Sequence, residues 1–261
     1  MPLLLYEDPV LLQKELHRHA ALLASESYQF AAGAVAVPLN MSEFALAARF
    51  YPIVFADTEG MLPLAVTGLR DLSNLFVDRE GRWSEGVYVP AYVRRYPFLP
   101  VTMSGSDALM LAIDRPRLVE GGGAVPDDPN RLFEDGNASA LAARALAFCE
   151  RYHRDHLQTS VFAAALRERD LLDTRRAEVR LPDQSQFRVD GFRMIDRAKL
   201  RALPDDTLGD WFRNGWLDLA ALAEASQANW QALLDRQATQ LSAAADAPQA
   251  RRRSTRKRTD A

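Results

Sequence analysis

Short apolar runs separated by turn residues dominate the first half of the chain. The runs IVFA, LPLAVT, NLFV and LMLAI are rich in Val, Ile, Leu and Phe, and turns that end at Gly60, Gly81 and Gly105 lie between them. Runs of this length, bounded by turn signals, are typical of antiparallel strands. The pattern predicts a β-rich N-terminal half with short antiparallel strands, in which NLFVDREGRW forms a hairpin.

Two helices are predicted in the same half. Asp8 followed by Pro9 matches a helix N-cap and first helical position, and the leucines that follow would form the apolar stripe of that helix. Asn40 and Glu43 have the spacing of a capping box, so a second helix is predicted from there to about Phe50.

The second half of the chain has mainly helical periodicity. We predict helices over residues 139–156, 160–172 and within 207–241. Between them, AEVRLPDQSQFRVDGFRMID predicts a small β element of two or three short strands with a turn at Asp190-Gly191, after which Asp196 caps a short helix. Strands that come early and helices that come late indicate an α+β fold.

The chain is predicted to form a single α+β domain over residues 1–243. Residues 120–137 contain three consecutive glycines and two prolines, so this loop is a candidate internal boundary. Residues 244–261 are small, polar and basic, which predicts a disordered tail. The tail contains RRRSTRKR, with six cations in eight positions, and is a candidate contact for an acidic partner.

The overall composition is that of an ordinary globular protein. The 261 residues are 48% hydrophobic and 26% charged, enough for a core without a disulfide or metal. Cys149 is the only cysteine, which excludes an intramolecular disulfide and favours a reducing compartment.

Charge and hydropathy limit which partners the protein is expected to bind and where in the cell it is expected to be found. Without the basic tail, the net charge of −3 becomes more negative, so the folded domain is not expected to bind nucleic acid. The N-terminus lacks the basic region and apolar run of a signal peptide, and no apolar run is long enough to span a membrane. We therefore expect a cytoplasmic protein, with a surface location by another route left open.

The densest unusual segment is YVPAYVRRYPF. Its tyrosines, Tyr88, Tyr92 and Tyr96, are four residues apart, a spacing that places them on one face of either a strand or a helix. The two prolines favour a strand over residues 86–89, followed by a short helical turn over residues 90–96.

The adjacent Arg94 and Arg95 point to different sides of such a turn, so at most one of them is expected to be buried. An arginine fork binds a carboxylate or phosphate bidentately, and tyrosines can wall the pocket around it. A structural ion pair covered by aromatic rings explains the same residues without a pocket. Both interpretations stay open.

Seven segments carry a family resemblance. They are VPLNMSEFALAARFYPIVFA, LPLAVTGL, NLFVDREGRW, YVPAYVRRYPF, LFEDGNAS, VDGFRMIDRAKLRAL and GWLDLAALAEASQANWQALL. With them, over residues 35–234, the chain resembles the SapC family of bacterial surface-layer-associated proteins. The resemblance implies a soluble, domain-sized bacterial protein linked by name to the surface layer, and it supplies no catalytic residues. A transporter permease of the same name does not fit a chain without an apolar span.

Catalytic and metal-binding patterns are incomplete. Glu150, His153 and His156 share one face of a predicted helix, but a metal site needs further ligands that the sequence does not place. Cys149 is predicted to be a buried apolar residue. The consecutive glycines lack the Lys-Ser or Lys-Thr of a phosphate-binding loop, and no G-x-S-x-G is present. No metal and no cofactor are therefore predicted.

Three functions remain open. The first is a non-enzymatic accessory protein with a groove for a protein or peptide, because aromatic residues and arginine are enriched at binding hot spots. The residues predicted to form this groove are Trp83, Tyr88, Tyr92, Arg94, Arg95 and Tyr96. The second is an enzyme acting on a peptide or small molecule, in which the arginines work with Asp78, Glu85 or Asp190. The third is a structural component of the surface layer.

Overall fold

A computed structural model of the chain describes residues 4–70, 72–102, 105, 108–120, 129–180 and 186–246. Within these ranges the strands are β1 (Pro9–Leu11), β2 (Ala21–Leu22), β3 (Ala36–Pro38), β4 (Ile53–Ala56), β5 (Pro63–Val66), β6 (Phe98–Thr102), β7 (Leu109–Asp114), β8 (Leu118–Val119), β9 (Phe133–Glu134), β10 (Asn137–Ala138), β11 (Leu172–Arg180) and β12 (Gln186–Ile195). The helices are α1 (Phe44–Ala47), α2 (Ala91–Arg94), α3 (Ala140–Glu168), α4 (Arg197–Arg201), α5 (Asp205–Arg213), α6 (Trp216–Ala225) and α7 (Asn229–Asp246). Sheets in the first half and helices in the second confirm the predicted α+β class.

The larger sheet combines strands from both halves of the chain. Its order is β11-β12-β4-β5-β3, and each neighbouring pair is antiparallel. The small β element predicted in the second half is therefore a long hairpin whose β12 pairs with β4, with Phe192 opposite Ala56. The predicted turn at Asp190-Gly191 is wrong, because both residues lie inside β12 and the strands pair out to Arg180 and Gln186.

The predicted N-terminal helix is also wrong. Residues Pro9–Leu11 form β1, which pairs with the central strand of a three-stranded antiparallel sheet in the order β1-β7-β6. Val10 lies opposite Ile113. Leu12 is buried in the same hydrophobic cluster as Ile113. Pairing with a strand distant in sequence outweighs the local cap and leucine spacing, since tertiary contacts routinely override helix propensity.

Several local predictions are confirmed. The NLFVDREGRW segment folds back through a bridge between Val77 and Trp83, with the Asp78 N–H donating to the carbonyl of Arg82 at 3.0 Å. The Glu43 carboxylate accepts from the backbone N–H of Asn40, as a capping box requires, and the helix that follows is the short α1. Asp196 caps α4 through bonds from two backbone N–H groups.

One continuous helix, α3, replaces the two that were predicted over residues 139–172. It begins close to the predicted residue 139, and the Ser139 side chain caps it by accepting from the N–H of Ala142 at 3.2 Å. Residues 140–168 contain neither glycine nor proline, so nothing in the backbone requires a break. Buried Cys149 belongs to a smaller core cluster and buried Phe162 to the main core, so α3 spans both.

The corner between α6 and α7 attaches the C-terminal helices to the first half of the chain. The N–H of Ile53 donates to Ser226 Oγ at 2.8 Å, and Gln227 Nε2 donates to the Ile53 carbonyl at 2.8 Å. Asn229 Nδ2 donates to the Tyr51 carbonyl at 3.1 Å. Side chains of this corner thus satisfy the backbone where β4 begins.

The single domain over residues 1–243 and the disordered tail remain predictions. Helix α7 continues to Asp246, and residues 247–261 lie outside the described residues, as do residues 121–128 of the candidate boundary loop. Among the described residues, no helix combines the length and the apolar character needed to cross a membrane.

Candidate functional site

The YVPAYVRRYPF segment lies where the two core clusters meet. Pro90 precedes α2, which confirms the predicted helical turn, and a cis peptide bond to Pro97 leads into β6. Tyr92 belongs to the main core and Phe98 to the smaller one. The predicted strand over residues 86–89 is wrong, because this stretch has no partner strand and begins at Gly86, whose φ is +71°.

Arg95 is buried within a cage of tyrosine rings. Its side chain and backbone together are only 7% exposed, and its guanidinium carbon lies 5.7, 4.8 and 4.6 Å from the ring centroids of Tyr6, Tyr92 and Tyr152. Its Nε donates to the Tyr6 hydroxyl at 3.2 Å, and that hydroxyl donates to the Phe98 carbonyl at 2.8 Å. The charge is therefore stabilised by aromatic faces, a strong arrangement where water is excluded.

Arg94 points the other way and is exposed, as expected for one of the two arginines. Its guanidinium lies beside the rings of Tyr88 and Phe148, at 5.5 and 5.6 Å from their centroids. Its Nε donates to the Val89 carbonyl at 3.0 Å, and its Nη2 donates to the Tyr88 hydroxyl at 3.1 Å. These contacts hold the guanidinium in place and leave N–H groups free to bind a ligand.

Arg94 borders a cleft of about 480 Å³ between α2, the 22–30 segment and α3, which we name the arginine cleft. Its basic residues are Arg94, Arg95, Arg117 and Arg144. Glu26 is the one carboxylate among the described residues that line it. The arrangement has a positive field over partly aromatic walls, which suits an anionic ligand.

Glu43 is a buried carboxylate on the opposite side of Arg94, and it is 4% exposed. Its Oε1 accepts from the N–H of Ala91 at 2.7 Å and from the Tyr88 hydroxyl at 2.9 Å, while Oε2 accepts from the N–H of Asn40 at 2.9 Å. Burial raises the pKa of Glu43 above its ordinary value, and these hydrogen bonds and the charge of Arg94 offset the rise only in part.

Glu43 lines a second cleft of about 370 Å³, which we name the polar cleft. Its polar residues are Asn40, Ser42, Glu43, Tyr88, Arg94, Arg151, Tyr152 and Asp155. Ser42 Oγ donates to Asp155 Oδ2 at 3.0 Å across the cleft. The buried Tyr152 hydroxyl has no hydrogen-bond partner among the described residues.

Some residues of the predicted groove line one of the clefts, and others are buried beneath the cleft surface. Trp83 is buried and its Nε1 donates to the Tyr51 hydroxyl at 3.2 Å, which in turn donates to the Tyr88 carbonyl. Tyr96 lines the arginine cleft and stacks on Phe30 with centroids 3.8 Å apart. Open space thus borders Tyr88, Arg94 and Tyr96, and the largely buried Arg95 also lines the arginine cleft. Trp83 and Tyr92 are buried and line neither cleft. Their role in binding stays a prediction.

The acids predicted for the enzyme hypothesis lie elsewhere. Asp78 forms an exposed ion pair with Arg82 at 2.8 Å, and Glu85 and Asp190 are exposed. None of these three residues lines either of the two clefts. Glu43, by contrast, lines the polar cleft together with Arg94, whose charge acts on its carboxyl group.

The helical Glu150, His153 and His156 do not form part of a metal site in the region that the structure describes, where no group of three or more His, Cys, Asp or Glu side chains could hold an ion. His156 instead stacks against Tyr152, with ring centroids 6.5 Å apart. Cys149 is fully buried, as predicted, and burial raises the pKa of its thiol to about 11, so it is not an activated nucleophile.

Sequence reasoning missed the contributions of Glu43, Tyr152, Arg117 and Arg144. Glu43 was explained by its capping role, although a glutamate within an otherwise apolar segment is a signal of a buried carboxylate. Tyr152 lies one helical turn beyond Phe148 on α3, so its position on an inward face was available from periodicity. The two arginines carry no local signal, because they lie in different elements.

Comparison with known proteins identifies the family. The SapC family model matches residues 12–233, which is most of the chain. The matched range includes the residues of α2 and α3 that line the two clefts. No curated protein and no solved structure gives a significant match. The extent of the family match shows that the chain belongs to the SapC family.

Proposed function

We propose that this chain is a soluble, cytoplasmic accessory protein of a bacterial surface-layer or surface-protein system, and that it binds an acidic peptide segment of a partner in the arginine cleft. The surface-layer part rests on the family resemblance. The binding part rests on one observation: the arginine cleft concentrates arginines from three separate elements against a single carboxylate.

The three arginines at the walls of the cleft come from different parts of the chain. Arg94 ends α2, Arg117 precedes β8, and Arg144 lies in the first turns of α3. In the region that the structure describes, none of the three forms an ion pair with a carboxylate of the protein. Their unpaired guanidinium groups favour a ligand that supplies carboxylates, since arginine pairs with carboxylates bidentately.

The walls between the arginines favour a peptide over a free inorganic anion. Tyr28, Phe30 and Phe148 line the same cleft, and they offer apolar faces to the side chains and backbone of an extended segment. A cleft that combines aromatic faces with arginine has the composition of a binding hot spot. Buried Arg95 and Tyr92 support this surface from behind.

The test is capture of partners from the native host after mild cross-linking of the tagged protein, followed by mass spectrometry. We expect a surface or secretion protein with an acidic segment to be enriched over an untagged control. A synthetic peptide of that segment should bind the purified protein, and Arg144→Ala should weaken this binding about 10-fold, or ~1.4 kcal/mol.

Arg154→Ala is the matched control for this test. Arg154 is exposed on the same helix and does not line the arginine cleft. We expect its binding to equal that of the unchanged protein. Equal peptide binding by the Arg144→Ala and Arg117→Ala variants and the unchanged protein would refute the arginine cleft as the site.

One observation favours the second candidate, an enzyme acting on a peptide or small molecule. Glu43 is a buried carboxyl with a raised pKa that lies beside Arg94 and Tyr88 in a cleft, a combination found at acid–base sites. Turnover of any compound in a peptide and metabolite mixture, abolished by Glu43→Gln, would support an enzyme. Equal turnover in Glu43→Gln would remove Glu43 from the reaction.

A further inference from the structure

The polar cleft has the features of a ligand site that is separate from the arginine cleft. We infer that it binds a small zwitterion of the α-amino acid class, with a free ammonium and a free carboxylate. This inference does not depend on a peptide in the arginine cleft, and its test uses different residues.

Unused hydrogen-bonding capacity is the first observation. Tyr152 is 4% exposed, yet its hydroxyl has no hydrogen-bond partner among the described residues. Leaving a buried polar atom unpaired costs free energy, so such an atom favours a bound group that pairs with it. A tyrosine hydroxyl can both donate and accept a hydrogen bond, so it can pair with either charged end of a ligand.

Asn40 fixes one edge of the polar cleft. Its Nδ2 donates to the backbone carbonyl of Tyr152 at 3.3 Å, and its side chain also faces the backbone N–H of Glu43 in the capping box. The backbone N–H of Asn40 donates to Glu43, which holds the residue at the start of the turn before α1. These contacts tie that turn to α3, so this edge of the cleft is a rigid part of the structure.

The charges around the polar cleft are balanced, unlike those of the arginine cleft. Glu43 and Asp155 supply carboxylates, and Arg94 and Arg151 supply guanidinium groups. A balanced pair of opposite charges attracts a ligand that carries both signs, whereas the arginine cleft attracts a net anion. Since Asp155 already accepts from Ser42 through Oδ2, its other oxygen is available to an ammonium group.

The two charged ends of the ligand have complementary groups. Arg94 keeps N–H groups free beyond its bonds to Val89 and Tyr88, and they can pair with the ligand carboxylate. The second oxygen of Asp155 and the Tyr152 hydroxyl provide acceptors for the ligand ammonium. The Phe148 ring, which lines both clefts, offers an apolar face for the ligand side chain.

The experiment is a calorimetric titration of the purified full chain with the standard L-amino acids, each tested singly. We expect saturable binding of at least one of them. Its N-acetyl and carboxamide derivatives should bind about 10-fold or more weakly, because each lacks one of the two charges. Asp155→Asn and Tyr152→Phe should each weaken binding of the same amino acid several-fold.

Two controls separate this site from the arginine cleft and from loss of folding. Arg144→Ala, which lies outside the polar cleft, should leave amino acid binding unchanged. Without ligand, Tyr152→Phe should unfold at an equal or higher temperature than the unchanged protein, because it removes a buried hydroxyl that has no partner. Higher thermal stability together with weaker ligand binding is a combination that a merely structural hydroxyl does not produce.

Failure of every standard amino acid to bind the unchanged protein would overturn the inference and indicate that water alone satisfies the Tyr152 hydroxyl. Binding that is unaffected by both Asp155→Asn and Tyr152→Phe would also overturn it, since the ligand would then lie elsewhere. Neither result bears on peptide binding, which the Arg144 and Arg117 variants test.

Discussion

Adjacent arginines in one segment have opposite environments. Arg95 is enclosed by Tyr6, Tyr92 and Tyr152, which come from the N-terminal segment, α2 and α3. Arg94, one residue earlier, lies on the exposed side of the same turn between the two clefts. Position on a helical turn, rather than residue type, therefore separates the structural arginine from the one available to a ligand.

This difference predicts different effects on stability. Arg95→Ala removes the centre of a buried aromatic cage, and we expect it to lower the free energy of unfolding by about 3 kcal/mol, as for other large-to-small changes in a core. Arg94→Ala, the matched control, should change it by ~0.5 kcal/mol or less, the usual range for a surface position. Urea unfolding followed by circular dichroism measures both. Equal losses in the two variants would contradict the assigned environments.

A second residue-scale prediction concerns Glu43 and pH. Because its pKa is raised in the folded state above the ordinary 4.5, the folded protein keeps a proton that the unfolded chain has lost. The stability that Glu43 contributes is fully present below pH 4.5 and is lost as pH rises through the raised pKa.

We therefore compare the free energies of unfolding of the unchanged protein and of Glu43→Gln. The value for the unchanged protein minus that for Glu43→Gln should decrease as pH increases above 4.5. The measurement is urea unfolding of both proteins at a series of pH values, so that the other titrating groups cancel in the difference. A difference that stays constant with pH, or that changes in the opposite direction, would show that the pKa of Glu43 is not raised.

At the scale of elements, α3 is the helix that brings the clefts together. It carries Arg144 and Phe148 on the side of the arginine cleft and Tyr152 and Asp155 on the side of the polar cleft. Its start is fixed by Ser139, whose Oγ accepts from the N–H of Ala142 at 3.2 Å and donates to a carbonyl at 2.6 Å. The position of both sites thus depends on how this helix begins.

Ser139→Ala should lower the free energy of unfolding by about 1 kcal/mol, the typical effect of removing a serine N-cap. Ser160→Ala is a matched control on the same helix. Its Oγ only donates to the helical carbonyl of His156, a bond that adds little to helix stability. Thermal and urea unfolding compare the two variants, and a Ser160→Ala effect as large as that of Ser139→Ala would argue against the cap.

At the scale of the whole molecule, the two halves of the chain share a sheet and a hydrogen-bonded corner. Strand β12 pairs with β4, and the α6–α7 corner binds the backbone that leads into β4. Asn229 Nδ2 donates to the carbonyls of Ala48 and Tyr51 at 2.8 and 3.1 Å. These contacts between residues far apart in the sequence couple the C-terminal helices to the sheet that positions Glu43 and α2.

Asn229→Ala leaves both of these carbonyls without their side-chain donor, and we expect it to lower the free energy of unfolding by roughly 2 kcal/mol. Gln231→Ala, whose side chain forms an exposed bond with Asp235 at 3.0 Å, should change stability by ~0.5 kcal/mol or less. Urea unfolding monitored by tryptophan fluorescence measures the effect. An Asn229→Ala protein as stable as the control would show that the corner does not couple the halves.

The sequence by itself determined the features that depend on neighbours along the chain. The α+β class, the start of α3 near residue 139, the cap at Asp196, the hairpin of NLFVDREGRW and the helical turn after Pro90 follow from residues a few positions apart. The exposure of at least one of Arg94 and Arg95 also followed, because adjacent residues on a turn face different directions.

Only the tertiary structure decided features that depend on distant partners. Residues Pro9–Leu11 form a strand because β7 supplies a pairing edge, and Asp190 and Gly191 lie within β12 because the residues on either side of them pair with β11 and β4. The convergence of Arg94, Arg117 and Arg144, and of Asn40 with Tyr152, has no local signal. The physical reason is that burial, pairing and pKa depend on what packs against a residue, and chain neighbours determine only which conformations that residue favours.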